Sequence, residues 1–424
     1  MTKYITILLL LTSLAYSLSI EDYLEIAEKN NPSLRSAFYK YKSHVQHENA
    51  SGYLPDPVIG VGYSISPIET RLGAQSGKIA IKQSLPWSVL TDDEENIAKY
   101  SVNSSMSDYK DVREKVFFQI KKVYYKIYSN TKEIQYTEKI LKNYVSLSSI
   151  KDQNISVSKT SLTSNIMFEN KYDTMKEKLI QLKSDLEHLN YKFNLLLNRD
   201  TDMIVEIPDS LTIPPIIPND QANGKLSNNS LESISYLIQK KNYEIKSAER
   251  KRFPTFSIGM DYVFIDERTD MIVDDNGKDA FIASVSMNLP INFRKTGSVI
   301  KKKTLEKKAL EYKKFSEENS LLTNINRTKK NIDDLIRKLK LKVKIIKRYE
   351  SIIEIEQQNL ETDGSSIEKL IKFINDKYSN LIQSEKLRSE LSIAYAYLDL
   401  ISTTTYDSVK KQNNHAEEIN HENN

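Results

Sequence analysis

The chain has 424 residues, 39% hydrophobic and 28% charged, with 61 Lys and Arg against 57 Asp and Glu. This mixture excludes a polytopic helical membrane protein, and a formal charge of +4 gives no argument for nucleic acid. The absence of cysteine excludes disulfides, thiolate metal sites, a cysteine nucleophile and a diacylglycerol-linked N-terminus. Only 10 Gly and 11 Pro occur, about 5% of the chain against about 12% on average. They cluster between Gly52 and Pro86, between Pro208 and Gly224, and between Pro254 and Gly297. From Trp87 to Ile207 neither occurs, and after Gly297 there is only Gly364. Gly and Pro cost about 1 and 3 kcal/mol in a helix interior, so the empty stretches predict long helices.

Residues 1–19 read as a signal peptide. Lys3 supplies the positive start, Tyr4 to Tyr16 the short apolar core, and Ala15-Tyr16-Ser17 the small residues of a cleavage site, with Ser17-Leu18-Ser19 as the alternative. No other segment approaches the length of a transmembrane helix.

An internal duplication follows. Tyr53-Leu54-Pro55-Asp56-Pro57, two alternating runs and Leu85-Pro86-Trp87 are echoed by Arg252-Phe253-Pro254, two more runs and Leu289-Pro290-Ile291. The offsets are 199 residues from Pro55 to Pro254 and 204 from Pro86 to Pro290. The first repeat, 20–207, is expected to hold a helix, strands at about 58–65 and 78–86, and a long helical hairpin over 87–198. A linker over 208–228 leads to the second repeat, 229–402, with strands at about 255–265 and 280–289 and a hairpin over 291–402. Residues 403–424, rich in Asn and Glu and holding His415 and His421, read as a disordered tail.

The strands alternate cleanly. Phe256, Ile258, Met260, Tyr262 and Phe264 face away from Ser257, Gly259 and Asp261, and Phe281, Val285 and Met287 away from Ser284 and Ser286. In the first repeat Ile59, Val61 and Tyr63 oppose Gly60, Gly62 and Ser64, and Ile79 and Ile81 oppose Lys78 and Lys82. One face suits lipid, the other a water-filled lumen; a half-buried soluble hairpin would alternate likewise. Four strands cannot close a barrel, and an open edge in lipid leaves backbone groups unsatisfied at several kcal/mol each. Three copies would supply twelve strands, enough for an aqueous channel.

The helices carry apolar seams at three-four spacing, such as Val116, Ile120, Val123 and Ile127, or Ile332, Ile336, Leu339 and Val343. Charged flanks make these coiled-coil seams, with reversals expected near Ser156 to Ser164 and at Asp363-Gly364-Ser365-Ser366.

In order along the chain, these residues resemble the TolC-like outer-membrane efflux proteins. Ser19-Ile20-Glu21-Asp22-Tyr23-Leu24 followed by Asn30-Asn31-Pro32 looks like the family's opening helix and its Asn-Pro start to the next. Leu54-Pro55-Asp56-Pro57 and Pro67 to Gln75 are similar to its first strand and outer loop, the latter holding Glu69, Arg71 and Gly73. Gln83-Ser84-Leu85-Pro86-Trp87 looks like the exit into the long helix, and Leu195-Leu196-Leu197-Asn198-Arg199 like the end of the first hairpin.

The fold this resemblance implies is mainly α with a small β-barrel contribution. Each protomer would hold long coiled-coil helices and four transmembrane β-strands, and a homotrimer would form a 12-stranded β-barrel in outer-membrane lipid and an α-helical barrel in the periplasm. The implied function is that of a passive conduit, with no cofactor, working with a periplasmic adaptor (membrane fusion protein) and an inner-membrane transporter. Docking and the periplasmic entrance would lie at the hairpin tips: Ser158, Lys159 and Thr160 in the first, and Gly364, Ser365, Ser366, Glu368 and Lys369 in the second. Gly364 matches the family's turn, whereas the first tip reads Val157-Ser158-Lys159-Thr160 without glycine. Lys369 and Lys372 beside Glu368 mean that the family's acidic gate does not carry over.

Other features favour plain readings. His44 and His47 lie three apart with Glu48 beside them, but lack a third ligand for a metal. Lys301, Lys302, Lys303, Lys307 and Lys308 suit either anionic headgroups or a solvated helix face. Trp87 suits either a membrane interface or ordinary packing. Neither a phosphate loop nor a nucleophile motif occurs, so an enzyme is not expected. A secreted structural coiled-coil protein or a periplasmic adaptor subunit remains the alternative to the conduit.

Overall fold

The computed structural model describes residues 18–154, 162–211, 228–361 and 367–402. The order is α1 (Ile20–Asn30), α2 (Pro32–Asn49), β1 (Val58–Thr70), β2 (Gly73–Leu85), α3 (Ser88–Asn154), α4 (Leu162–Leu197), α5 (Asn229–Arg250), β3 (Thr255–Asp266), β4 (Ala280–Asn288), α6 (Phe293–Glu361) and α7 (Ile367–Ser402). Helix lengths recur along the chain: α3 and α6 have 67 and 69 residues, and α4 and α7 have 36 each. At 1.5 Å per residue, α3 and α6 are each about 100 Å long. Among the described residues no helix is long and apolar enough to cross a membrane.

The described chain divides into two units. One comprises residues 37–110 and 229–319, with the four strands and the N-terminal parts of α3 and α6. The other comprises residues up to 36, 111–228 and from 320 onward.

In the strand-bearing unit the sheet is an antiparallel meander, β1-β2-β3-β4. β2 pairs with β3 from Ala74↔Asp266 to Leu85↔Phe256, so the two repeats are joined through the middle of the sheet. Among the described residues β1 and β4 each have one partner strand and one open edge.

The outer loop expected around Glu69, Arg71 and Gly73 is a correction. Glu69 lies within β1 and Gly73 opens β2, leaving Arg71 and Leu72 as the turn. Glu69 pairs with Ala74, and Thr70 with Gly73. The tight reversal needs Gly73: its φ is +132°, and a Cβ there would stand 1.7 Å from the Asp266 carbonyl oxygen. The Thr70 hydroxyl completes the turn by donating to the Gly73 carbonyl at 2.7 Å. Pro67 falls in the stretch between Tyr63 and Ile68 where β1 and β2 are out of pairing, so its missing N–H costs no bond to β2. The register shift between Tyr63 and Ile68 accommodates it.

The second unit is built on an aromatic core. Tyr23, Leu24 and Ala27 of α1 meet Phe117, Ile120, Tyr124 and Ile127 of α3, Phe193 and Leu197 of α4, and Val205. The Tyr23 and Phe193 rings meet edge-on, with centroids 5.0 Å apart. Ser19 and Asp22 form a capping box at the start of α1. The Asn-Pro motif has an explicit mechanism: Asn31 Oδ1 accepts from the Ser33 and Leu34 amides, while its Nδ2 donates to the Leu196 carbonyl at 2.8 Å. Pro32 then occupies the first helical position, where no N–H is needed.

The Leu195-Leu196-Leu197-Asn198-Arg199 motif is a helix stop. Asn198 adopts φ 50°, and the Arg199 amide closes on the Asn194 carbonyl at 3.2 Å. Fully buried Asn194 holds the following chain, its Nδ2 donating to Thr201 and Met203 carbonyls at 2.8 and 2.7 Å and its Oδ1 accepting from Arg199 Nε. Asn194→Leu strands these partners and should cost about 2–4 kcal/mol. Asn198→Gly suits the left-handed backbone and should change little. Thermal melting followed by helical circular dichroism should separate the two variants by several degrees; equal midpoints would contradict this role for Asn194.

Candidate channel wall and helical tips

Register places every strand residue on one of two faces. Ile79↔Tyr262, Ile81↔Met260, Met260↔Ala283, Ile258↔Val285 and Phe256↔Met287 are cross-strand pairs, so Phe256, Ile258, Met260, Tyr262, Phe281, Val285 and Met287 share one face. Ile59, Val61 and Tyr63 extend that face across β1. All of these side chains are exposed, reaching 81% at Val61 and Tyr63. A contiguous apolar row on an ordered sheet is far more than the scattered exposed apolars of an ordinary surface. The other face carries Gly60, Gly62, Lys78, Lys82, Ser257, Gly259, Asp261, Ser284 and Ser286. The sequence reading overlooked Val263 and Ile265 on this second face, where both are buried.

Beyond the strands, Arg268 organises the β3–β4 connection. It pairs with Asp270 at 2.7 Å and donates to the Thr70 and Arg71 carbonyls, while the Gly277 amide donates to Leu72 at 2.8 Å. The connection is thereby bound to the β1–β2 turn that holds Arg71.

At the opposite end of the strands the junction with the helices is pinned. Trp87 Nε1 donates to the Pro254 carbonyl at 2.7 Å, and its ring meets Phe256 edge-on. Arg250 at the end of α5 pairs at 2.6 Å with Asp93, 2% exposed, in the second turn of α3. Trp87 still exposes half its surface. The Lys303 ammonium and that of Lys241 converge on Glu244 at 2.7 and 2.9 Å. Burial alone would raise the Glu244 carboxyl, but the two ammoniums outweigh it and hold it below its ordinary value. Part of the lysine cluster is therefore structural. His44 lies near Lys240, Lys40 and Asp108; burial and then these lysines lower its pKa. Among the described residues no group of three potential ligands could hold a metal.

In the second unit the hairpin-tip residues Ser158, Lys159, Thr160, Gly364, Ser365 and Ser366 lie outside the described residues, as do the signal segment before Leu18, most of the linker and the tail. Glu368 and Lys369 open α7, and Lys369 pairs with buried Glu356 of α6 at 2.7 Å. Glu368, Lys372 and Asp376 line a groove of about 780 Å³ with Tyr144, Phe168 and Lys171 of α3 and α4.

Deeper along these helices is a constellation that no local sequence pattern marks. Glu133 of α3 takes Lys178 of α4 at 2.8 Å and Lys386 of α7 at 2.6 Å, joining three helices on one buried carboxylate. One turn away the Tyr128 hydroxyl donates to Glu385 at 2.6 Å.

No protein-family model matches the chain, and no curated protein matches it by sequence. Solved structures do. The outer membrane channel CmeC of Campylobacter jejuni matches with a TM-score of 0.73 at 13% identity, over 93% of this chain and 88% of that one. The outer-membrane channel OprN gives 0.72 at 11%, over 90% and 89%. The MtrE outer membrane channel of Neisseria gonorrhoeae, in its open state, gives 0.67 at 14%, over 90% and 88%. The fold is the TolC-like channel fold. A likeness at this level concerns backbone architecture, and α3, α4, α6 and α7 are its long helices.

Within this fold Glu133 gives a pH signature. Burial raises its carboxyl, but the Lys178 and Lys386 ammonium groups outweigh burial and hold it below its ordinary value. A carboxyl lowered in the folded state supplies stability in full above the unfolded value and loses it as pH falls through the folded value. Glu133→Gln should therefore melt below wild type at pH 7, and the gap should begin to narrow once the pH falls below the ordinary glutamate value of about 4.3 and go on narrowing as it falls further. A gap of equal size at pH 7 and pH 3 would contradict this assignment.

Proposed function

We propose that this protein is an outer-membrane channel of a tripartite efflux or secretion system, a passive conduit for solutes from the periplasm to the exterior. Three copies would share one barrel of twelve strands in outer-membrane lipid. Their long helices would form an α-helical barrel in the periplasm of a Gram-negative-type cell, and the hairpin tips would dock with a periplasmic adaptor and an inner-membrane pump. Conduction of this kind needs shape and a water-filled path and no catalytic residue in the chain.

One observation carries the reading: an antiparallel sheet with an apolar, exposed face ends in two open edges. In lipid every backbone polar group needs a partner, and the economical partners for the edges of β1 and β4 are the edges of further copies. A periplasmic adaptor or a secreted coiled-coil protein would have no use for such a face. The export signal read in residues 1–19 and the fold shared with outer membrane channels support the same conclusion.

The expected outcome is that the protein fractionates with the outer membrane and forms discrete ion-conducting pores after reconstitution into planar bilayers. Recovery only as a soluble periplasmic monomer without conductance would contradict the proposal. Arg at Met260 or Val285, on the proposed lipid face, should destabilise membrane insertion by about 2–4 kcal/mol near the midplane. Arg at Ser257 or Ser286, on the proposed lumen face, should be accepted. Equal effects at the four positions would reverse or remove the assigned faces.

A further inference from the structure

The sequence offers two cleavage positions for the export signal, after Ser17 and after Ser19, each preceded by small residues at the required spacing. The folded chain makes use of the two residues that lie between them. The Leu18 backbone nitrogen lies 2.9 Å from Glu206 Oε2, on the chain that follows α4. Glu206 is itself held, its amide donating to the Tyr23 hydroxyl at 3.0 Å. The Leu18 side chain is partly buried against the aromatic core of the same unit. Ser19 caps α1: its amide and its hydroxyl both donate to Asp22 Oδ2, at 2.8 and 2.9 Å, and its hydroxyl accepts from the Asp22 amide.

A cut after Ser19 would remove the Leu18 packing, the Glu206 contact and the capping box together. It would also leave a positive terminal ammonium at Ile20, on the positive end of the α1 dipole, where a cation is disfavoured. A cut after Ser17 keeps all three features and places the new ammonium beside a carboxylate.

We propose that processing occurs at the Ser17–Leu18 bond and that the Leu18 ammonium so created becomes an anchored terminus held by Glu206. The proposal rests on the export reading above. The step is a peptide hydrolysis by a signal-removing protease: one water is consumed, the C–N bond breaks, Ser17 leaves as a carboxylate and Leu18 retains the nitrogen as an ammonium. Pairing with Glu206 favours the charged form, so this amine should titrate above the ordinary α-amino range of about 7.7–8.0. As the pair is exposed, its effect is modest.

Terminal sequencing and intact mass of the membrane-purified protein should give Leu18-Ser19-Ile20-Glu21 as the first residues. An exported protein beginning at Ile20, or elsewhere, overturns the proposal and leaves the channel reading standing; an uncleaved chain retained in the cytosol overturns both. For the anchor, the terminal amine is labelled at pH 7 with an amine-reactive ester, which attacks only the neutral amine. Glu206→Gln should keep the same first residue and label about two- to five-fold faster than wild type. An unchanged rate overturns the Glu206 anchor.

Discussion

The structure depends on one constraint: the backbone groups along the outer edges of β1 and β4 need hydrogen-bond partners that the described residues do not provide. A four-stranded meander with an apolar face is stable in lipid only if those edges are paired, because each stranded group costs several kcal/mol there. The cost scales with the length of the strands, which reach 13 residues in β1 and β2. Such strands exceed what a bilayer's hydrocarbon requires, so the tight Thr70–Gly73 turn and the bound β3–β4 connection would extend beyond the apolar layer.

The second consequence of the duplicated chain concerns how strands give way to helices. β2 and β3 come from different repeats yet are hydrogen-bonded along their whole length, and the chain on either side must be held in register with them. Trp87 on Pro254, and Arg250 on Asp93 and the Val89 carbonyl, do this where β2 passes into α3 and α5 into β3. Both ties cross the repeat boundary, so the two halves are fixed to each other as well as built alike. Arg250 in the last turn of α5 also has the charge sign that the dipole of that helix favours.

Much of this was legible in the residues. Period-two alternation gave the strand faces, because burial on one side only leaves its mark at every second position. The gap in Gly and Pro from Trp87 to Ile207 gave the helices. Asn31-Pro32 and Asn198 were visible as motifs, and the structure supplies their mechanisms as an N-cap and a left-handed stop. The Glu69–Gly73 stretch was read as an outer loop by resemblance, and no local pattern marked that β1 runs on to Thr70 before reversing at Gly73. Glu133 with Lys178 and Lys386 was invisible for a different reason. It joins residues far apart in sequence, each on a helix rich in interchangeable Glu and Lys, and no local pattern marks which of them meet.

The central claim, that separate chains complete one barrel through the β1 and β4 edges, can be tested directly because the chain contains no cysteine. Paired substitutions placing one Cys on β1 and one on β4, such as Ile59→Cys with Val285→Cys, put the only thiols of the molecule at opposite edges of its sheet. Treated in outer membranes with a flexible bis-maleimide, the doubly substituted protein should give covalent dimers and trimers and stop at the trimer, while each single substitution should give no trimer. Monomers alone, or a ladder continuing past three chains, would contradict a closed barrel built from three copies.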